Sequence, residues 1–367
     1  MSDVAWIALN SVNGLGPVRI KHLIDRYGSA EEVFKLRGGE LRAGGLIPDQ
    51  CIARLAEAEL FTEAEAQIAL ARNNGASIFT LASPDYPPYL KEIFAPPPVL
   101  FLRGDASVFS RHAVAIVGTR NATAYGKAVT RSITGELVEH GLVIVSGLAR
   151  GIDTVAHRSC VDKGGSTVAV LGCGIDRIYP ADNAELGEEI CAKGALISEF
   201  PMGTAPEPFN FPRRNRIIAG LSAGVLVVEG GEKSGGLITA SYALQQGRDV
   251  FAVPGPITSP QSVGTFNLLR DGAIPARSGH EMADVLSLIG NSQLKSRASV
   301  GVLVSAPVSL LTEAERAIYD TLSETPRRMD ELSTLTGKTI MQLFDVLLNL
   351  ELKGLAQQLG GQCYVRA

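Results

Sequence analysis

Apolar residues change their spacing along the chain, and the changes divide it. From Val4 to about Ala76, Ile7, Leu9, Ile20, Leu23, Ile24, Ile52, Leu55 and Leu60 recur at helical intervals. This pattern predicts a small all-helical domain over residues 1–76. Its first connection, Gly14-Leu15-Gly16-Pro17, sets glycines for a tight turn before a proline suited to a helix's first turn, as in a helix-hairpin-helix or SAM-like unit. Over residues 77–112 the prolines of Ser83-Pro-Asp-Tyr-Pro-Pro-Tyr89 and Ala95-Pro-Pro-Pro98 withhold backbone donors. A linker and a strand leading into a sheet are expected there.

Between residues 113 and 289 the rhythm becomes one of short β-branched runs, AVAIVG, LVIVSG, STVAVLG, ALISEF, GVLVVEG and DVFAVPG, separated by amphipathic stretches. Such alternation implies right-handed crossovers and a parallel sheet. Residues 290–308 are Ser-rich and weakly patterned, as in a linker. Helical patterning resumes at Thr312-Glu-Ala-Glu315, a capping-box start, and the end of the chain reads as two strands about Gly360-Gly361. The expected fold class is therefore α/β, a central Rossmann-like, doubly wound parallel sheet flanked by an N-terminal helical SAM-like or helix-hairpin-helix domain and a C-terminal winged-helix-like domain at 309–367. The stretch beginning at Thr339 is apolar and acidic, which favours protein contacts or a dimer role over reading of major-groove bases.

Composition narrows the function classes. At 46% hydrophobic and 20% charged residues the chain can bury a core. Its apolar runs are far shorter than a membrane span of about 20 residues, and the start lacks the features of a secretory signal, so a cytoplasmic protein is expected. The cysteines lie far apart with no metal-ligand spacing, which predicts reduced thiols and no metal site. A net charge of −4 confines any nucleic-acid contact to a local cleft.

The loops after the strands carry the candidate chemistry, because ligands of open parallel sheets bind beyond the carboxyl ends. They contain Gly118-Thr119-Arg120, then Ser146, Gly147 and Arg150, then Arg213, Arg214, Asn215 and Arg216, then Ser234, Gly235 and Thr239. Glycines allow close backbone approach, helix N-termini attract anions, and arginines bind phosphate oxygens in pairs. For any one loop, a tight turn or a solvated helix face is an equally good explanation; their coincidence in nearly every loop favours a chain of phosphates. Phe209 and Phe211 could stack unpaired bases, although core packing explains each as well or better. Asp153 and His157, four apart, could form an acid/base pair, but a helix cap and a packed imidazole are the favoured reading. Arg120 stands where a dinucleotide fingerprint needs glycine, and Gly230-Gly-Glu-Lys-Ser-Gly235 lacks the P-loop register. No cofactor, catalytic residue or ATPase activity is expected.

The runs Ile116-Val-Gly-Thr-Arg120, Ser146-Gly-Leu-Ala-Arg-Gly-Ile-Asp-Thr-Val-Ala-His157, Arg214-Asn-Arg-Ile-Ile-Ala-Gly-Leu221, Ser234-Gly-Gly-Leu-Ile-Thr-Ala240 and Ala252-Val-Pro-Gly-Pro256 closely resemble the DprA (Smf) family. The resemblance implies a homodimeric single-stranded-DNA-binding protein that protects incoming DNA during natural transformation and helps load RecA. It assigns phosphate binding to Gly118, Thr119 and Arg120 and to Arg214, Asn215 and Arg216. Family members often carry a lysine in the segment matching Tyr179-Pro-Ala-Asp-Asn183; here there is none, and Arg177 is the candidate substitute. The competing readings are a nucleotide phosphoribohydrolase with Glu229 or Asp153 as acid, and a protein-binding scaffold.

Overall fold

The computed structural model describes residues 2–286, 311–323, 327–339, 342, 343, 346, 347, 350, 355–359 and 363–366. The chain divides into two compact units, residues 1–287 and 288–367. The expected linker at 290–308 and the Gly360-Gly361 turn lie outside the described residues.

All six β-branched runs form strands: β3 (Ala113–Val117), β4 (Val143–Ser146), β5 (Thr167–Val170), β6 (Ala195–Ser198), β7 (Gly224–Val227) and β8 (Asp249–Ala252). With β1 (Ser77–Thr80), β2 (Val99–Gly104) and β9 (Ile274–Pro275) they make a sheet of order β1-β2-β6-β5-β4-β3-β7-β8-β9. The strands from β6 to β9 run parallel. Both faces are covered, which is why the runs are apolar throughout rather than alternating. Ala113, Ala115 and Val117 share a core with Ile217 and Ala240, while Val114 and Ile116 share another with Ile133 and Ile152.

Where one strand was expected at 77–112, two form. β2 lies antiparallel to β6, with Phe101 opposite Ser198, and β1 lies antiparallel to β2, with Phe79 opposite Leu100. The prolines fall between them, where no ladder donor is needed.

Six N-terminal helices precede the sheet: α1 (Ser2–Asn10), α2 (Pro17–Tyr27), α3 (Ala30–Lys35), α4 (Gly38–Gly44), α5 (Asp49–Leu55) and α6 (Glu59–Asn73). Their buried residues, among them Trp6, Leu9, Leu23 and Leu60, form one continuous core with Phe101, Leu171 and Leu196 of the sheet region. The helical segment and the sheet thus share a unit. Later helices of this unit include α7 (Pro88–Lys91), α8 (Ala124–Glu139), α9 (Ile152–Asp162), α10 (Ala184–Lys193), α11 (Asn210–Gly220), α12 (Gly235–Gln245) and α13 (Val263–Arg270).

In the second unit the capping box forms as expected. Thr312 Oγ1 accepts from Glu315 N, and the Glu315 carboxylate accepts from Thr312 N at 2.8 Å. A sheet of Arg327–Arg328, Cys363–Arg366 and Ala356–Leu359 is antiparallel throughout. Leu343, Leu347 and Leu350 are buried in this unit's own core, so these leucines after Thr339 pack internally.

Phe101 is fully buried where helices meet sheet. Phe101→Ala should lower stability by about 3–5 kcal/mol. Urea denaturation should show helical and sheet signals of residues 1–287 shifting together; a shift in only one would contradict the shared core.

Candidate nucleic-acid interface

The chain winds from β3 through β4 and β5 to β6 on one side, then returns to β7, β8 and β9 on the other. The loops leaving β3 and β7 therefore diverge, opening a crevice at the carboxyl ends of adjacent strands. Glycines let the backbones close beneath it. A Cβ on Gly118 would lie 2.6 Å from the Ile152 side chain and 2.8 Å from the Glu229 carbonyl oxygen. A Cβ on Gly236, in the first turn of α12, would lie 3.2 Å from Gly118 Cα. Thr119 N donates to the Glu229 carbonyl at 2.8 Å, and Ile152 N donates to the Thr119 carbonyl at 3.2 Å. The β3 turn is thereby pinned between the starts of α9 and α12.

Above this junction sits a cavity of about 460 Å³. One wall is Gly118, Thr119 and Arg120; another is Lys233, Ser234, Gly235, Gly236 and Thr239; Phe211, Arg214 and Asn215 close the third. The Ser234 side chain makes no capping hydrogen bond, leaving the first turn of α12 open to an anion. Arg120 and Lys233 are exposed, and no carboxylate pairs with either among the described residues.

Arg214 forms the floor. It is buried, and its Nη1 donates to the Gly147 carbonyl at 2.7 Å and to the Val170 carbonyl. Burial brings its pKa down to about 10, with Asp153 acting in the opposite sense, so it stays charged at neutral pH. Burial pushes the Asp153 carboxyl up, against Arg214 and amide donors from Ala149 and Gly147. The Phe211 ring lies 5.5 Å from the Arg120 guanidinium, 5.9 Å from that of Arg214 and 5.7 Å from the Tyr179 ring.

Of the candidate residues, Gly118, Thr119, Arg120, Arg214, Asn215, Ser234, Gly235, Thr239 and Phe211 come together at the cavity. The others stand elsewhere. Ser146 is fully buried and its hydroxyl donates to the Ile116 carbonyl at 2.6 Å. Gly147 lies against Arg214, where a Cβ would come within 2.3 Å of the guanidinium. Arg150 reaches away to Asp182, at 3.0 and 2.8 Å. Arg213 and Arg216 both pair with the buried Glu199, at 3.2 and 2.6 Å. Phe209 is exposed but does not line the cavity. Consecutive residues of a helix point in different directions, so one arginine run serves the cavity floor and an internal ion pair at once.

Lys233 and Tyr179 were not among the candidates. The signal for Lys233 was present, since it immediately precedes the Ser234-Gly-Gly start of α12. Tyr179 becomes visible only through its contact with Phe211.

The acid/base candidates are occupied. The Glu229 carboxylate accepts from Thr123 N at 2.9 Å and from the Thr123 hydroxyl, filling the space left by Gly126 at the start of α8. His157 lies 2.7 Å from Thr167 Oγ1 through Nδ1. That hydroxyl donates to the Ile144 carbonyl, so Nδ1 is the donor to Thr167. Burial lowers the His157 pKa to about 3, leaving it a neutral packing residue rather than the partner of Asp153.

A family model described as DNA recombination-mediator protein A matches residues 77–288, and one for the DprA winged helix domain matches residues 305–362. The chain belongs to the DprA (Smf) family. Protein Smf of Synechocystis is 37% identical over 98% of both chains. The DNA processing protein DprA of Bacillus subtilis is 45% identical over 60% of this chain and 74% of its own. Among solved structures, DprA of Streptococcus pneumoniae superposes with a TM-score of 0.63 at 35% identity, covering 76% of this chain and 97% of that one. DNA processing protein A of Helicobacter pylori, described for its single-stranded DNA binding mode, gives 0.53 at 30% identity over 57% of this chain and 95% of that one. The match over residues 77–288 contains the whole nine-stranded sheet and every residue of the crevice, and the winged-helix match falls within the second unit.

His157 supplies a test of the packing. The folded protein keeps it neutral down to about pH 3, whereas the unfolded chain protonates it near its ordinary 6.5. The unfolded state then holds the extra proton between those values, and stability falls as pH drops. From about pH 6.5 to about pH 5 this residue should contribute a slope approaching 1.4 kcal/mol per pH unit. His157→Gln should flatten that slope in paired urea titrations; identical slopes would contradict the buried, neutral imidazole.

Proposed function

We propose that the chain binds single-stranded DNA through the crevice between the β3 and β7 loops, as a non-catalytic DNA-processing protein. The observation that carries this reading is the uncapped start of α12 facing the Gly118-Thr119-Arg120 turn, with Arg120 and Lys233 free of carboxylate partners. Amides, a helix N-terminus and unpaired cations around one cavity make a phosphate site. The Phe211 ring beside Arg120 adds a surface on which an unpaired base can stack. The two acids that a hydrolase reading would use are engaged, Glu229 in capping α8 and Asp153 in accepting from the Gly147 and Ala149 amides against Arg214, which leaves the exposed Glu232 as the carboxylate on the cavity wall. The single-stranded DNA binding of the Helicobacter pylori protein, a relative of 30% identity, supports the same ligand. Family membership supports the wider role, in which a cytoplasmic homodimer protects incoming DNA during transformation and passes it to RecA. It also supports the division into a helical region at 1–76, a connecting segment at 77–112, a DNA-binding core at 113–289 and a winged helix at 309–367.

Titration of labelled single-stranded and duplex oligonucleotides across a salt series tests the site. The wild type should prefer single strands, with a log-log salt slope of about 0.7 per phosphate contact. Arg120→Ala and Lys233→Ala should each weaken binding and reduce that slope by about 0.7. An unchanged slope in both would remove the crevice as the phosphate track. Arg216→Ala should instead act on stability, by about 3–5 kcal/mol, because it leaves Glu199 buried with only the half-exposed Arg213.

A further inference from the structure

A second cavity, of about 310 Å³, lies between α1, α6, the start of β2 and the loop that follows β6. Its walls include Ile7, Val99, Phe101 and Pro201, and its polar groups include Asn10, Glu63 and Gln67. The volume is at the low end for ligand sites, which suits a single planar ring system. Gln67 Oε1 accepts from Met202 N at 2.8 Å. This fixes the amide and leaves its NH₂ group without a partner among the described residues. The Asn10 amide has none there either, and Glu63 holds Arg54 through Oε2 at 2.6 Å, keeping Oε1 as an acceptor. An apolar slot edged by amide donors and a carboxylate acceptor matches the hydrogen-bonding edge of a heteroaromatic base.

Its position points to the source of that base. Pro201 belongs to the loop that runs from β6 through Pro208 into α11, and Pro208 and the α11 residue Phe211 line the crevice at the switch point. β2 stands four places from β3 in the sheet, roughly 19 Å at about 4.8 Å per strand. β2 runs antiparallel to β6, so its first residue, Val99, lies at the carboxyl-end rim that carries the crevice. We infer that this cavity receives an unstacked nucleobase of the same strand whose phosphates occupy the crevice. The inference rests on the DNA-binding reading above.

The test is a single abasic site scanned along a labelled single-stranded oligonucleotide, with the intact full chain as binder. In the wild type, an abasic residue at the position reaching the cavity should weaken binding roughly tenfold, within the range for loss of one stacked base. Ala64→Met, which fills the cavity, should lower affinity for the intact strand by a similar factor and erase the penalty at that position. Gln67→Glu keeps an acceptor for Met202 N but replaces the donor with negative charge; it should do the same, and it serves if the packed Ala64→Met chain fails to fold. An abasic profile that is the same in wild type and variants, while Arg120→Ala still weakens binding, overturns the cavity assignment and leaves the crevice intact. Absence of strand binding in the wild type overturns both. Free deoxyadenosine that raises the melting temperature of the wild type beside a flat abasic profile overturns the strand as the source of the base.

Discussion

The site depends on a buried guanidinium. Arg214 is withdrawn from water beneath the crevice, and removing a charge from water costs several kcal/mol unless hydrogen bonds and counter-charge replace the lost solvent. Here the Gly147 and Val170 carbonyls, at the ends of β4 and β5, and the buried Asp153 replace it. Loops from separate strands are thereby drawn to one planar group. The fork geometry matters, because an ammonium presents neither a plane for Phe211 nor donors in a fixed spread. Gly147 is required for the same reason, since any side chain there would occupy the guanidinium's place.

That arrangement explains how a chain of net charge −4 can present a positive site. Several arginines named in the rim loops are paired nearby: Arg150 with Asp182, while Arg213 and Arg216 share Glu199. Arg120 and Lys233 have no such partner among the described residues, and they flank the open first turn of α12. Within these rim loops the positive field is concentrated at the cavity, because Arg150, Arg213 and Arg216 are held by carboxylates and Arg120 and Lys233 are not. Buried Arg214 adds a fixed charge beneath the cavity, facing the buried Asp153.

The parallel strands were legible in the sequence because burial on both faces leaves unbroken runs such as Ala113–Val117. The crevice was legible for a related reason: glycines must follow strands wherever backbones close on one another, as Gly118 and Gly236 do. The arginine run was legible only in composition. Which of Arg213, Arg214 and Arg216 faces the cavity depends on the helical phase of α11 and on Glu199, which arrives from the end of β6. Ser146 misled for a similar reason, as a hydroxyl at a strand end looks the same whether it meets a ligand or the neighbouring Ile116 carbonyl. The periodicity of the first helices revealed an apolar face but not its partner. That partner includes Phe101 of β2, a strand whose pairing with β6 is set by contacts distant in sequence.

The antiparallel strand also decides what the helical segment can add. A further parallel strand at the β6 edge would have needed a crossover and would have placed its beginning on the rim opposite the crevice. Running the other way, β2 begins on the ligand-facing rim, and the Gln67 side chain of α6 reaches Met202 in the loop after β6. Helices that share a core with the sheet through Phe101 therefore also help to position the loop that leads to Phe211. A disturbance in the helical layer has a direct mechanical route to the crevice, through one hydrogen bond and one loop, without altering any residue that touches phosphate.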